Sequence, residues 1–184
     1  DDGLIHSESL LVDAPQSFGS YRPGNFDMAF NGPVSAAQAL RLSLNVPAVD
    51  LLDRVGPARF AARLANAGLE LEWPRGAQPN LAMILGGTGA RLEQLVGAHV
   101  ALNRGGVAAH VRLTPAQPLV ERRLLSDGAA WIVRDMLEAN PRPGQSRDTF
   151  DTGSRARLAW KTGTSYGFRD AWALGTTRRY TVGV

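Results

Sequence analysis

Apolar residues recur at helical spacing through most of the first 140 positions. This period predicts amphipathic helices, with proline near their first turns and glycine after their last. The predicted helices run from Pro33 to Leu42, from Pro47 to Gly56, from Pro57 to Gly68, from Leu92 to Leu102 and from Ser126 to Leu137. We expect irregular, turn-rich chain over residues 1–31, and a loop with one short apolar stretch over residues 69–89.

The period of the apolar residues changes after residue 156. Leu158 to Thr162, Asp170 to Thr177 and Tyr180 to Val184 are typical of strands, with turns at Gly167 and at Thr177-Arg178-Arg179. Helices followed by an antiparallel meander predict an α+β fold, with a helical part over about 33–140 and a strand part over about 156–184. Because two strands and part of a third make a poor sheet alone, we expect both ends to belong to a larger domain.

Composition excludes several classes of protein. The 184 residues are enough for one domain with a core, and no apolar run approaches the roughly eighteen residues of a membrane span. No signal peptide is visible. The net charge is only +3 with scattered arginines, which argues against nucleic-acid binding. The absence of cysteine excludes disulfides, thiol catalysis and cysteine-ligated zinc.

The basic residues are distributed unevenly between two types. Nineteen of the 20 are arginine, and Lys161 is the only lysine. A lysine ammonium can lose its proton when its surroundings demand it, whereas an arginine cannot. The count therefore marks Lys161 as a candidate site residue, with chance retention as the alternative.

Lys161-Thr162-Gly163-Thr164 lies at the end of the first predicted strand. Glycine allows a substrate backbone to lie close to the strand, and the hydroxyls and the ammonium can hold a carboxylate. Free N–H groups of the strand can pair with an extended peptide or face an oxyanion. An ordinary strand end is the alternative interpretation.

Ser43-Leu44-Asn45 lies between two predicted helices. A serine hydroxyl can relay protons there, and an asparagine amide can hold a peptide amide. Taken alone, the tripeptide is more typical of helix capping.

Ser-x-Asn followed by Lys-Thr-Gly resembles the motif set of penicillin-binding proteins and serine β-lactamases. The segment from Trp160 to Trp172 is very similar to class A penicillin-binding proteins, nearest to their 1C branch. The segments that match the same enzymes are Tyr21 to Asp27, Ser43 to Val49, and Leu85-Gly86-Gly87 with the following helix. The loop Thr88 to Arg91 departs from the resemblance, because the family tends to be more apolar there. The resemblance implies part of a transpeptidase domain, with a penicillin-binding-protein/serine β-lactamase-like fold.

The nucleophile of that family is missing from this chain. It is the serine of a Ser-x-x-Lys tetrad, and the only lysine, Lys161, already belongs to the second motif. The resemblance places the tetrad upstream of Asp1, so we expect the chain alone to be inactive. It also implies a parent with a glycosyltransferase domain, anchored by an upstream segment at the periplasmic side of the bacterial inner membrane.

The resemblance assigns catalytic roles to Ser43, Asn45 and Lys161. In the family, the tetrad serine attacks the D-alanyl-D-alanine carbonyl of a peptidoglycan stem peptide, and an amine resolves the acyl-enzyme. β-Lactam antibiotics mimic that dipeptide. Ser43 would pass protons, Asn45 would hold the acyl side-chain amide, and Lys161 would raise the local positive potential and hold Ser43.

Substrate binding falls by resemblance to Thr162, Gly163 and Thr164. The two hydroxyls would bind the substrate carboxylate, and the Thr164 N–H would complete the oxyanion hole. No cofactor and no metal is implied. We expect the side chains of Ser43 and Lys161 to lie in contact or one water apart, because a separation beyond about 8 Å excludes a proton relay.

Other polar and aromatic residues receive structural interpretations. They are His6, His99 and His110, which share no ligand spacing; Trp73 and Trp131, expected to pack; Asp170 and Trp172, expected to be structural with Trp172 in the core; and the solvated pairs Arg122-Arg123 and Arg178-Arg179.

Three alternative functions stay open at this point. The first is a β-lactamase or D,D-carboxypeptidase, against which the arginine- and aromatic-rich stretch from Tyr166 to Trp172 argues. The second is a penicillin-binding-like sensor of β-lactams. The third is a soluble α+β domain with accidental motifs.

Overall fold

The computed structural model describes residues 1–141, 157–165 and 169–184. The turn predicted at Gly167 lies outside these residues. The described helices are α1 (Ala36–Leu42), α2 (Asn45–Val55), α3 (Pro57–Asn66), α4 (Leu92–His99) and α5 (Asp127–Glu138). Two short 3-10 helices, Leu81–Leu85 and Val100–Asn103, lie on either side of α4. Within the described ranges, no helix has the length and apolar character needed to cross a bilayer.

Helix α1 begins three residues later than the sequence predicts. Pro33 and Val34 belong to strand β2 (Gly32–Ser35), which pairs antiparallel with strand β1 (Leu10–Asp13). Ser35 ends the strand and caps the helix, since its hydroxyl accepts a hydrogen bond from Gln38 N at 3.2 Å. Strand β1 lies in the region predicted to be irregular, so that prediction is wrong for residues 10–13.

Helices α2 and α3 follow the predicted punctuation. Gly56, with φ of +90°, separates the two helices, and Pro57 occupies the first position of α3. Val46, Val49 and Leu52 of α2 are buried at one face. Helix α2 therefore supplies much of the core below the loop that joins it to α1.

The amphipathic stripe predicted from Leu92 to Leu102 is divided between α4 and the 3-10 helix Val100–Asn103. Gly105 and Gly106 have φ of +57° and +83° and end it, as predicted. Strands β3 (Val107–Ala109) and β4 (Glu121–Arg123) follow as a small antiparallel pair that the sequence pattern did not predict. At three residues each, they are too short to show a period of two.

Helix α5 begins where the sequence predicts. The Ser126 hydroxyl accepts a hydrogen bond from Ala129 N at 3.2 Å, which is the expected N-cap geometry. At the other end, Asn140 stands two residues beyond the last helical residue. Its side chain reaches the sheet, which matters for the site described below.

The predicted meander is confirmed as strands β5 (Ala159–Thr164), β6 (Ala171–Thr176) and β7 (Thr181–Gly183), paired antiparallel in the order β5-β6-β7. Helix α5 packs against β5, and α4 packs against β7. Helix α4 lies so close to β7 that a Cβ built at Gly183 would be 2.5 Å from Val96 Cγ2. Strand β5 forms one edge of this sheet, and it carries the lysine motif.

Two helical glycines test how tightly the helices pack. A Cβ at Gly97 of α4 would lie 2.3 Å from the backbone oxygen of Ala109, whereas a Cβ at Gly128 of α5 would meet no atom within 4 Å. We expect Gly97→Ala to lower the free energy of unfolding by about 1–3 kcal/mol, because strand backbone cannot move aside cheaply. Gly128→Ala should be neutral or stabilising by up to about 1 kcal/mol, through helix propensity. Urea denaturation of both variants measures the difference, and equal midpoints would contradict the packing.

Candidate functional site

Lys161 and Ser43 are in direct contact across 118 residues of sequence. Lys161 Nζ donates a hydrogen bond to Ser43 Oγ at 2.6 Å and a second to the backbone oxygen of Thr162 at 2.8 Å. The sequence-based prediction that the Ser43 and Lys161 side chains lie within a hydrogen bond of each other is therefore confirmed. The loop between α1 and α2 faces the edge of β5.

Ser43 adopts a backbone conformation that L-residues rarely take. Its φ and ψ are +59° and +41°, in the left-handed region. Ser43 N donates to Leu40 O at 3.2 Å and Leu44 N to Ala39 O at 3.0 Å, which is the Schellman pattern that ends many helices. Glycine usually fills this position, and a side chain there costs roughly 1–2 kcal/mol. Backbone strain of this kind clusters at active sites and ligand-binding segments.

Lys161 is partly buried, and this changes its acid–base properties. Desolvation by burial lowers the pKa of the Lys161 amine below its ordinary value of 10.5. No carboxylate among the described residues forms an ion pair with it, so nothing of that kind offsets the burial. The site therefore contains an amine that gives up its proton more easily than a surface lysine does.

The outer edge of β5 presents backbone groups that β6 does not use. Ser165 N donates to Asp170 O at 3.0 Å, and Ala173 exchanges hydrogen bonds with Val184 on the other side of β6. Since hydrogen bonding alternates along antiparallel strands, the backbone N–H and C=O groups of Thr162 and Thr164 point away from β6. In the described part of the chain, no strand pairs with this edge.

The two ends of that edge differ. At its start, Asn140 Nδ2 donates to the outward-facing oxygen of Trp160 at 2.9 Å. The segment that follows α5 therefore covers the beginning of β5. Farther along, a Cβ built at Gly163 would meet no atom within 4 Å. At its end, Gly86 lies against Ser165, where a built Cβ would be 3.6 Å from the Ser165 Cα. The open stretch is thus centred on Thr162, Gly163 and Thr164.

Asn45 is held by a dipeptide that lies twenty residues earlier. Its backbone N–H donates to Asn25 Oδ1 at 2.9 Å, and its Nδ2 donates to Gly24 O at 2.7 Å. The Asn45 N–H is in the first turn of α2, whose N-cap residue, Leu44, makes no side-chain capping bond. Asn25 therefore supplies the missing cap from another segment.

Ser43 and Leu44 do occupy capping positions, at the C-terminus of α1 and the N-terminus of α2, but the capping bonds of Ser43 are made by its backbone and not by its hydroxyl. The Ser43 hydroxyl contacts Lys161, and the Asn45 side chain contacts Gly24, so neither caps its own helix. Among the described residues, Asn45 Oδ1 accepts no hydrogen bond. One N–H and the carbonyl of the Asn45 amide are consequently free to meet another amide.

Asp13 is a buried carboxylate that sequence analysis missed. It is fully buried, and it accepts hydrogen bonds from Asn25 Nδ2 at 2.7 Å, Asn31 N at 2.9 Å and Asn31 Nδ2 at 2.8 Å. Burial raises the pKa of Asp13, but the hydrogen bonds from Asn31 and Asn25 outweigh it, so the pKa of Asp13 is lowered overall. The group stays ionised beneath the loop that carries Asn45.

Two tryptophans lie elsewhere than expected. Trp131 was expected to pack but is 65% exposed on α5. Trp172 was expected in the core but is only partly buried, opposite Gly163 in β6. The face on which each side chain lies follows from the period of its helix or strand and not from its residue type.

The three histidines contact different parts of the structure. His6 accepts from Glu8 N, His99 lies half-buried against the backbone of Ala159, and His110 lies beside Gly68. Over residues 1–141, 157–165 and 169–184, no three His, Asp or Glu side chains are grouped to hold a metal ion.

Comparison with known proteins identifies the family, although no family model matches the chain. The chain is 54% identical over its whole length to penicillin-binding protein 1C of Escherichia coli, and covers 24% of that protein. It is 30% identical over 94% of its length to penicillin-binding protein 1F of Bacillus subtilis, and covers 26% of it. The chain belongs to the penicillin-binding protein family. The resemblance to class A members and to their 1C branch is thereby confirmed.

Solved structures give the same fold for this penicillin-binding protein segment. Penicillin-binding protein 1A of Haemophilus influenzae superposes with a TM-score of 0.74 at 18% identity, over 93% of this chain and 33% of that one. PonA1 of Mycobacterium tuberculosis, solved with penicillin V, gives 0.73 over 97% of this chain and 54% of that one. The predicted α+β penicillin-binding-protein fold is confirmed. The chain spans about a quarter of the length of the curated relatives it matches.

The single lysine makes its ionisation directly measurable. We expect the Lys161 Cε and Nζ resonances to titrate with a pKa below 10.5, because burial disfavours the ammonium. Ser43→Ala should lower that pKa further, since the hydroxyl oxygen accepts from the charged form. The control Ser126→Ala removes a serine hydroxyl that bonds Asp1 instead, and it should leave the Lys161 titration unchanged. A midpoint at or above 10.5 in the unmodified chain would contradict the desolvation.

Proposed function

We propose that this chain supplies one half of a serine D,D-transpeptidase site, which acts on the D-alanyl-D-alanine ends of peptidoglycan stem peptides and is acylated by β-lactams. The observation that carries the proposal is the 2.6 Å contact between Lys161 Nζ and Ser43 Oγ beside an open strand edge. The family of the chain supports it. So do the solved relatives of this fold with penicillin V and with imipenem as an acyl-enzyme.

The nucleophile comes from another part of a longer polypeptide. In a Ser-x-x-Lys tetrad the serine stands three residues before the lysine. The only lysine of this chain is Lys161, and the residue three positions before it is Leu158, so this chain holds no such tetrad. We infer that the tetrad serine approaches Ser43 and Lys161 from a preceding segment. The parent polypeptide is membrane-anchored and works at the periplasmic side of the inner membrane, and this chain by itself does not turn over substrate.

Ser43 and Lys161 handle the proton in this reaction. The tetrad serine loses its proton to the tetrad lysine as its oxygen bonds to the substrate carbonyl carbon. The proton reaches the leaving amine through the Ser43 hydroxyl when the C–N bond breaks and D-alanine departs. Lys161 donates to Ser43 Oγ, which keeps that hydroxyl oriented with its own proton directed elsewhere. An acceptor amine from a second stem peptide then bonds to the acyl carbon, the bond from that carbon to the serine oxygen breaks, and the proton lost by the amine returns to that oxygen.

The open edge of β5 binds the substrate. Outward backbone groups of Thr162 and Thr164 pair with an extended peptide, as an added strand does, and the Thr162 oxygen then shares its acceptor capacity with Lys161 Nζ. The Thr164 N–H donates to the developing oxyanion together with the N–H of the nucleophile, and the threonine hydroxyls hold the terminal carboxylate. Asn45 offers its free N–H and carbonyl to the amide of the acyl part. No cofactor takes part in this scheme.

Labelling with a fluorescent penicillin tests the proposal. We expect no covalent label on the 184-residue chain, and label on a version extended upstream to include the tetrad serine, because only the latter has a nucleophile. In the extended version, Ser43→Ala and Lys161→Ala should slow acylation by about 10²–10⁴-fold, the usual effect of losing an acid–base group. Absence of label on a folded extended version would overturn the transpeptidase assignment. Rapid release of hydrolysed penicillin would indicate a β-lactamase instead.

A substitution at Gly163 tests whether substrate reaches β5 without disturbing the fold. We expect Gly163→Ala to leave the melting temperature unchanged, since the new Cβ meets no atom within 4 Å, and yet to slow penicillin labelling of the extended version. The matched control is Gly128→Ala, whose Cβ also meets nothing within 4 Å but belongs to the first turn of α5 and not to β5. Equal labelling rates for the two variants would show that no ligand approaches the face of β5 at Gly163.

A further inference from the structure

The geometry points to Asp13 and Asn25 as a positioning pair that fixes Asn45 for binding the acyl amide of the substrate. This inference rests on the proposed function, because it concerns how one of the proposed site residues is held. Neither residue belongs to the two motifs that carry the chemistry. Their effect on a ligand would be exerted through Asn45.

Asn25 has only one orientation available to its side-chain amide. Both N–H bonds of Asn25 Nδ2 are used, one on Asp13 Oδ1 at 2.7 Å and one on Ala29 O at 2.9 Å. An ionised carboxylate can only accept hydrogen bonds, so the NH₂ end of Asn25 must face Asp13. Its oxygen is therefore turned towards Asn45, where it accepts from the backbone N–H at 2.9 Å.

The dipeptide Gly24-Asn25 then holds Asn45 at two points. Asn25 holds the backbone, and Gly24 O holds the side-chain Nδ2 at 2.7 Å. Asn25 is 4% exposed, so water does not compete for these contacts as it would on the surface. The second N–H and the oxygen of the Asn45 amide are left with a fixed direction. A ligand amide needs that pair of groups, one donor and one acceptor, side by side.

Asp13 is more than a packing residue in this arrangement. A hydrogen bond to a charged acceptor is stronger than one between neutral groups, so the buried carboxylate stiffens the whole chain of contacts. Replacing Asp13 by asparagine would present an NH₂ group as well as an oxygen. Asn25 could then turn over, and its own NH₂ would oppose the Asn45 N–H.

The test compares two β-lactams in the parent polypeptide that includes the tetrad serine. One is a penicillin with an acylamino side chain, which offers an amide to Asn45. The other is a carbapenem with a hydroxyethyl group in place of that amide. Stopped-flow acylation gives a second-order rate constant for each drug, and thermal melting reports the fold.

We expect Asp13→Asn and Asn25→Ala each to slow acylation by the penicillin about tenfold, the equivalent of one lost hydrogen bond, while the carbapenem rate is unchanged. The matched control is Asn31→Ala, which removes a 2.8 Å bond to Asp13 Oδ2, the carboxylate oxygen that Asn25 does not use. It should lower the melting temperature without changing the ratio of the two rates. Equal loss with both drugs, or a selective loss in Asn31→Ala, would overturn the inference.

Three further outcomes keep the result decisive. If Asp13→Asn does not fold, Asn25→Ala still decides, because it leaves Asp13 both hydrogen bonds from Asn31. If the unmodified parent reacts with neither drug, the proposed function itself fails. If it reacts with both and Asn25→Ala keeps the ratio of the two rates, only the positioning role fails.

Discussion

The hydrogen bond between Lys161 and Ser43 sets the arrangement of everything around it. It joins the end of α1 to the edge strand β5, so the helical part and the sheet must meet at one line. That requirement explains why Ser43 keeps a left-handed backbone conformation that glycine would adopt more easily. It also explains why the only lysine of the chain is partly buried without a carboxylate partner among the described residues. The left-handed backbone of Ser43 and the burial of the Lys161 amine both lower the stability of the folded chain.

The sequence was informative wherever a local rule and the tertiary structure agree. Gly56-Pro57 ended one helix and began the next, and Ser126 capped α5, because these residues act within a single turn. The three strands after residue 156 followed from their change of period. The contact of Ser43 with Lys161 was predicted from the joint presence of two motifs, each of which alone was weak.

Other features depend on contacts between distant segments, and no local pattern shows them. Strand β1 buries Leu11 and Asp13 and exposes Leu10 and Val12. Because apolar residues lie on both faces and a polar residue is buried, the sequence shows no alternation of apolar and polar positions that would predict the strand. The Asp13–Asn25 contact joins two polar residues twelve positions apart. A polar residue in a turn-rich stretch is read as solvated by default. The buried environment of Asp13 becomes visible only when β1 is paired with β2 and packed against α2.

The open edge of β5 has a consequence for the handling of the protein. Unpaired backbone groups on a sheet edge can template the addition of another chain, and proteins usually protect such edges by covering or shortening them. Here Asn140 covers the start of the edge and Gly86 lies against its end, while the stretch around Gly163 is left open. A positive charge on an edge strand is one of the recognised defences against self-association. Lys161 is the one charged residue of β5, so the strand that leaves its backbone groups open has a single charge to oppose pairing with another copy.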